Sequence, residues 1–255
     1  MRARNVLVTG ASSGIGRAVA TEAARRGATL TLVARDEDRL REVRDELAGA
    51  GHGIVVADLS DTQDLARVAD LVAQDQINVL VNAAGIGLER PFPLGSLGDE
   101  RRQIDLNVGA VLTLSHAAAT AMNARGSGAI VNVSSTAAYW SVGTYAASKA
   151  WVLAATMGLA AQCAPHGVNV MTLVPGFTRT QFHSRSATDA SHVREWMWLD
   201  AADVARECLD ALARGDRVCI PGRRYRVLVE LVRHLPPSGR AAVLRQLAPL
   251  GPVAR

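Results

Sequence analysis

The stretch "NVLVTGASSGIGRAVA" runs from Asn5 to Ala20 and decides the fold. It opens as an apolar run, Val6-Leu7-Val8, with the β-branched character of a buried strand. It then passes Gly10, Gly14 and Gly16 and continues in residues that read as a helix. A turn this tight, between a buried strand and a helix, needs residues without a Cβ. It leaves backbone N–H groups and the positive end of the helix dipole facing outward, an arrangement suited to a diphosphate. With a strand before it and a helix after it, the glycine pattern points to a dinucleotide site.

The rest of the chain repeats the strand–helix alternation. Seven strands are expected in "NVLVTG", "ATLTLVA", "GIVVAD", "NVLVNAAG", "GAIVNVSS", "VNVMTLVPG" and "RVCIPG". Helical patterns lie between them at Ile15–Arg26, Asp36–Leu47, Thr62–Gln74, Glu100–Asn123, Tyr145–Ala164 and Ala201–Arg214. The early strands are apolar on both faces, as a parallel sheet covered by helices on both sides requires. Repeated βα units with right-handed crossovers give a single, doubly wound α/β domain. No linker or composition break precedes about Gly222. The expected division is a catalytic domain over 1–222 and an amphipathic helical extension over 223–255.

Composition narrows the partners. The 255 residues are 49% hydrophobic and 20% charged, enough for a sizeable core, with only 4% aromatics. The net charge is +4, but runs such as "RDEDRLREVRDE" alternate in sign like a solvated helix face. No nucleic-acid motif accompanies them, so no nucleic-acid partner is expected. Cys163, Cys208 and Cys219 show no ligand spacing and read as reduced thiols. The start "MRARNVLVTG" carries no apolar signal core, so a cytoplasmic protein is expected. No metal is expected.

After the second strand comes "LVARDEDR". An NAD site usually has an acid at that strand's end for the ribose 2′-OH. Here the place is taken by Ala34, followed by Arg35, whose guanidinium suits a 2′-phosphate. Arg17, just past the last glycine, is a second candidate for the same phosphate, or else an exposed helix residue. Asp36 opposes this reading if it faces the ribose. NADP(H) is the expected cofactor.

The pieces "TGASSGIG", "NAAG", "LN", "SS", "YAASK" and "PGFTRT" occur together, in an order and spacing that resembles the short-chain dehydrogenase/reductases. The match spans roughly Asn5 to Cys219. The resemblance implies a seven-stranded Rossmann sheet, a nicotinamide cofactor and a catalytic group of Asn107, Ser135, Tyr145 and Lys149. It implies that Gly10, Ser12, Gly14, Ile15 and Gly16 surround the diphosphate, and that Asp58 and Leu59 meet the adenine. Asn82 and Gly85, from "NAAG", would shape the coenzyme pocket. Pro175, Gly176, Thr178 and Thr180 would hold the carboxamide of the nicotinamide. Ala83 stands where the family often has a second Asn. The family also commonly forms homodimers or homotetramers through its two long middle helices.

Lys149 is the only lysine in a chain with 27 arginines, and it lies four residues after Tyr145. In a helix the two share a face. A free phenol titrates near 10, and a cation beside it favours the phenolate. A compact ammonium can do this while bonding to ribose hydroxyls, whereas a guanidinium fits the space badly. The resemblance then implies carbonyl reduction, with Tyr145 as general acid, a Ser hydroxyl on the developing alkoxide, and Asn107 holding a water that links Lys149 to solvent. Ser134 and Ser135 both qualify. The family pattern favours Ser135, although it stands only ten residues before Tyr145, a shortened loop.

Beyond "PGFTRT", the residues Phe182, Trp196, Met197 and Trp198 are expected either to line an apolar pocket for a bulky substrate or to pack the loop. A hydrophobic ketone, 3-oxoacyl or steroid-like substrate is expected. His183 and His192 are expected to be exposed. The tail holds two short amphipathic helices, the first with Leu228, Leu231, Val232 and Leu235 at helical spacing. It is expected to pack on the same domain or a partner subunit, with a weak membrane-surface contact as the alternative. A sensor or scaffold of the same fold, binding NADP without catalysis, is the competing function.

Overall fold

In the computed structural model the described residues are 5–74, 77–88, 90, 92–140, 143–182, 193–236, 239 and 243. Seven strands form one parallel sheet: β1 (Asn5–Thr9), β2 (Thr29–Ala34), β3 (Gly53–Val56), β4 (Val79–Asn82), β5 (Gly128–Val133), β6 (Val168–Leu173) and β7 (Val218–Cys219). Their order across the sheet is β3-β2-β1-β4-β5-β6-β7. Each coincides with an apolar run expected to be a strand. Register follows the pleat: Val6 pairs with Leu30 and Val79, Leu7 with Thr31 and Leu80.

Alternate residues of each strand serve opposite faces. Val6, Val8, Leu30, Leu32 and Val81 enter one core cluster. It is covered by α1 (Gly14–Arg25), α2 (Glu37–Glu46) and α7 (Ala201–Arg214). Leu7, Val33, Leu80 and Ile130 enter the other, covered by α3 (Thr62–Gln74), α5 (Ala110–Arg125) and α6 (Gly143–Cys163). This is the doubly wound arrangement, and the chain reverses its winding between β1 and β4, where such sheets bind ligands.

The helix expected over Glu100–Asn123 is compound. It starts earlier, as α4 (Leu97–Ile104) capped by Ser96, and reaches α5 through a π-helical turn at Asp105–Gly109. Such turns concentrate at functional sites, and this one contains Asn107. The three cysteines are free and buried.

Beyond β7, α8 (Arg223–Arg233) buries Tyr225, Val229 and Val232, while Leu231 and Val227 stay exposed. Of the expected Leu228–Leu231–Val232–Leu235 stripe, Val232 is buried and Leu228 packs against the Tyr225 cluster, Leu235 is half-buried, and Leu231 is exposed. The second tail helix lies almost wholly outside the described residues. Among the described residues no helix is long and apolar enough to cross a membrane.

Candidate active site

A cavity of about 720 Å³ opens at the carboxyl ends of the strands. At one end it touches the glycine turn, Arg35 and Asp58, and at the other Ser135 and Tyr145. Of the expected site residues, only Arg17, Asn82 and Asn107 do not line it.

The glycine turn is a cradle that side chains would fill. Gly10 has φ +66°, and a Cβ there would stand 2.9 Å from the main chain of Ala84. A Cβ on Gly16 would stand 2.3 Å from the carbonyl oxygen of Gly10, so helix and turn touch backbone to backbone. The first turn of α1 carries no acidic residue. Its N–H groups and dipole are oriented for an anion, which fits the diphosphate of a dinucleotide.

At the ribose end, Asp36 lines the cavity beside Arg35. One of its carboxylate oxygens is engaged as the cap of α2, accepting from the backbone N–H of Arg39 at 3.1 Å. Arg35 stands 3.6 Å from Asp58, and Arg102 reaches the same oxygen at 2.8 Å. Ser60 bonds the other oxygen through its N–H and its hydroxyl. Burial pushes the Asp58 carboxyl up, but the Ser60 bonds and the two arginines outweigh it and hold it below the usual range. Arg17 is not brought here. Its guanidinium bonds Glu46 at 2.5 Å and lies 3.5 Å from Glu42. The reason is helical geometry: Gly16 faces the turn, and the next residue points about 100° away, toward α2.

At the other end, Tyr145 and Lys149 lie one turn apart on α6. The Lys149 ammonium is 5.8 Å from the centre of the Tyr145 ring and donates to the carbonyl of Val133 at 3.0 Å. Ser135 lines the cavity with Tyr145, near enough to pull its phenol down, and its hydroxyl accepts from Ala137 N–H at 3.1 Å. Ser134 is buried and donates to the Lys149 carbonyl at 2.7 Å, so it fastens β5 to α6. A one-turn 3-10 helix, Thr136–Tyr139, follows Ser135 and accounts for the short interval before Tyr145. Asn107 lies behind Gly85, its amide oxygen accepting from Ile86 N–H and its nitrogen donating to the Ile86 carbonyl, each at 2.9 Å. A Cβ on Gly85 would meet that amide oxygen at 3.1 Å and the Lys149 ammonium at 3.3 Å. Asn82, expected to steady the sheet and the coenzyme pocket, lies beneath the cavity and ties β4 to β5 and α5, bonding Asn132 at 2.8 Å and Ser115 at 3.2 Å.

Burial pushes the Tyr145 phenol up to about 12, against the downward pull of Ser135. The expected lowering by Lys149 is not met in this geometry, because the ammonium bonds the Val133 carbonyl. Burial brings Lys149 down to about 8 from its ordinary 10.5. Between those two values the unfolded chain holds a proton that the folded chain has released, so stability rises with pH. Urea unfolding of the wild type and Lys149→Met near pH 8 and near pH 10 is expected to show the wild type gaining on the variant by on the order of 2 kcal/mol. A pH-independent difference would contradict the buried ammonium. Tyr145 acts oppositely, removing stability above pH 10, and cancels in this comparison.

Pro175, Gly176, Thr178 and Thr180 line the cavity where the chain leaves β6. The Tyr225 ring of α8 covers Gly176 so closely that a Cβ there would stand 2.0 Å from it. Its hydroxyl accepts from Phe177 N–H at 3.0 Å and donates to the Met197 carbonyl at 2.8 Å, joining the two stems of the substrate loop. Of the four loop residues named for the substrate pocket, Phe182 alone lines the cavity, 5.6 Å from the Tyr145 ring. Met197 is buried beside Tyr225, Trp198 packs edge-on to Phe177, and Trp196 is exposed. The apolar wall is completed by Ile86, Leu88, Trp140 and Phe177, outside the loop's aromatic cluster. His183 and His192 lie outside the described residues.

Sequence reasoning also missed Thr144. Its hydroxyl donates to the buried Glu100 at 2.6 Å and accepts from Gln103 at 2.9 Å, fixing the start of α6 next to Tyr145. Only the helical spacing of Glu100 and Gln103 hinted at a shared face.

Comparison with known proteins agrees with this geometry. A family profile described as short chain dehydrogenase matches residues 4–191. An uncharacterized oxidoreductase of Mycobacterium tuberculosis is 34% identical over 92% of this chain and 94% of its own length. The glycine betaine reductase ATRR of Emericella nidulans is 31% identical over 84% of this chain, which spans only 18% of that longer protein. Among solved structures, a short-chain dehydrogenase from Sphingobium yanoikuyae in complex with NADPH superposes with TM-score 0.84. It is 31% identical and covers 94% of this chain and 95% of its own. The bulky-bulky ketone specific alcohol dehydrogenase from Comamonas testosteroni superposes with TM-score 0.78, at 29% identity over 96% and 95% of the two chains.

Proposed function

Since this chain belongs to the short-chain dehydrogenase/reductase family of nicotinamide-dependent oxidoreductases, we propose that it is an NADPH-dependent carbonyl reductase acting reversibly on a bulky hydrophobic ketone, 3-oxoacyl or steroid-like substrate. The observation that carries this reading is a single cavity with a phosphate cradle and Arg35 at one end and Ser135, Tyr145 and an apolar wall at the other.

The glycine turn of Gly10, Ser12, Gly14, Ile15 and Gly16 would hold the diphosphate, with Asp58 and Leu59 at the adenine and Arg35 at the 2′-phosphate. Gly85, Pro175, Gly176, Thr178 and Thr180 would border the nicotinamide. The coenzyme, when bound, supplies the hydride. Tyr145 gives its phenolic proton to the carbonyl oxygen. Ser135 donates to the same oxygen and stabilises its developing charge. Lys149, one turn along α6, would aid proton release only with its ammonium turned from the Val133 carbonyl toward the phenol. Asn107 holds the main chain of Ile86 and, through Gly85, the side of the site that Lys149 faces. Ile86, Leu88, Trp140, Phe177 and Phe182 exclude water and offer apolar surface to the substrate. The NADPH of the Sphingobium structure and the ketone of the Comamonas enzyme lend this reading support.

Coenzyme titration by intrinsic fluorescence tests it. NADPH is expected to bind more tightly than NADH, and Arg35→Ala is expected to cut NADPH affinity by roughly ten- to a hundredfold. NADH affinity should hold. A wild-type preference for NADH would overturn the coenzyme assignment.

A further inference from the structure

We propose that Arg39 is a second specificity-determining residue for the coenzyme's 2′-phosphate, paired with Arg35 and standing in the place expected of Arg17. The inference rests on the coenzyme reading above.

Arg39 lines the same cavity as the glycine turn and Arg35. It sits in the first turn of α2, where the bond between its own backbone N–H and Asp36 fixes its Cα. Its guanidinium is held from two sides. The Nε lies 3.3 Å from the Asp36 carboxylate, and Nη1 donates to the side-chain oxygen of Gln181 at 3.2 Å. Gln181 comes from the segment after β6, so the arginine bridges the mouth of the nucleotide groove. One of its two partners is neutral, which leaves its charge incompletely offset.

Within the cavity lining Arg35 and Arg39 balance Asp36 and Asp58, but Arg102, outside the lining, takes up Asp58 at 2.8 Å against 3.6 Å for Arg35, which leaves Arg35 the more weakly paired. Arg17 has the opposite surroundings, with Glu42 and Glu46 both on its guanidinium. A phosphate brought to Arg17 would meet two carboxylates. A phosphate held by Arg35 and Arg39, which line one cavity, would meet two planar donors suited to charge-assisted bonding.

The experiment is NADPH and NADH titration on the full chain, for wild type and the variants Arg39→Ala, Arg39→Lys and Arg17→Ala. Arg39→Ala is expected to weaken NADPH by about tenfold or more with NADH unchanged. Arg39→Lys should recover part of the loss, and Arg17→Ala should leave the NADPH-to-NADH ratio as in wild type. NADH affinity also reports that each variant is folded. If the wild type prefers NADPH and Arg39→Ala keeps that preference, this inference fails alone. Equal losses for both coenzymes would make Arg39 a merely structural residue and overturn it. A wild type without NADPH preference would overturn both this inference and the coenzyme reading beneath it.

Discussion

Tyr145→Phe should lower kcat for NADPH-dependent ketone reduction by roughly 10²–10⁴-fold, the usual contribution of a positioned general acid. The substitution removes one oxygen and little else. The ring keeps its place against Phe182, 5.6 Å away, and α6 keeps its fold. NADPH affinity should therefore stay within about twofold, because a ring stripped of its hydroxyl still fills the same volume. That split between kcat and binding separates a reductase from a non-catalytic coenzyme sensor. Steady-state kinetics on a bulky ketone, paired with fluorescence titration, read both quantities. A variant retaining most of its kcat would sink the assignment of Tyr145 as proton donor.

Lys149→Arg, conservative in charge, should be nearly as damaging. Lys149 is 5% exposed, bonded to the Val133 carbonyl at 3.0 Å, and its ammonium lies close to Gly85. A guanidinium is broader than an ammonium, and overpacking such a site costs about 1–3 kcal/mol. It also cannot shed its proton, whereas burial already holds Lys149 down to about 8. The variant should lose about a hundredfold or more in kcat, comparable to removing a preorganised charge-stabilising group, and should unfold at a lower urea concentration. Chain composition explains nothing here, since the chain uses arginine everywhere else. An arginine variant within tenfold of wild-type kcat would show that the site tolerates any cation.

The sheet was legible because its strands are apolar on both faces and are punctuated by glycines. Val6-Leu7-Val8, Leu30 to Val33 and Val79-Leu80-Val81 all carry that signature, and all pair as parallel strands. The convergence of Ser135, Tyr145 and the glycine turn on one cavity was legible too, through the spacing of short motifs. What stayed hidden depends on rotation about helix axes and on long-range packing. Arg17 and Arg39 are both arginines in the first turns of helices. The close contact of Gly16 with Gly10 turns Arg17 away, and the Asp36 cap turns Arg39 in. The π-helical turn at Asp105–Gly109 has no local signature in "DLNVG". Of the two roles open to the loop residues, Met197 and Trp198 take the packing one, through Tyr225 and Phe177, and the choice was hidden because Tyr225 lies more than two dozen residues further on.

The buried amides under the site carry one more consequence. Asn82 donates to Ser115 and Asn132, and Asn132 donates to Thr156, so β4, α5, β5 and α6 meet in one chain of polar side chains. Replacing any one of these with an apolar residue strands its neighbour's donor or acceptor in the core, at about 1–3 kcal/mol each. Replacing the whole set together leaves nothing stranded. The four positions therefore form a single heritable unit: single steps away from it run uphill, and a descendant lineage leaves it by several coordinated changes or stays.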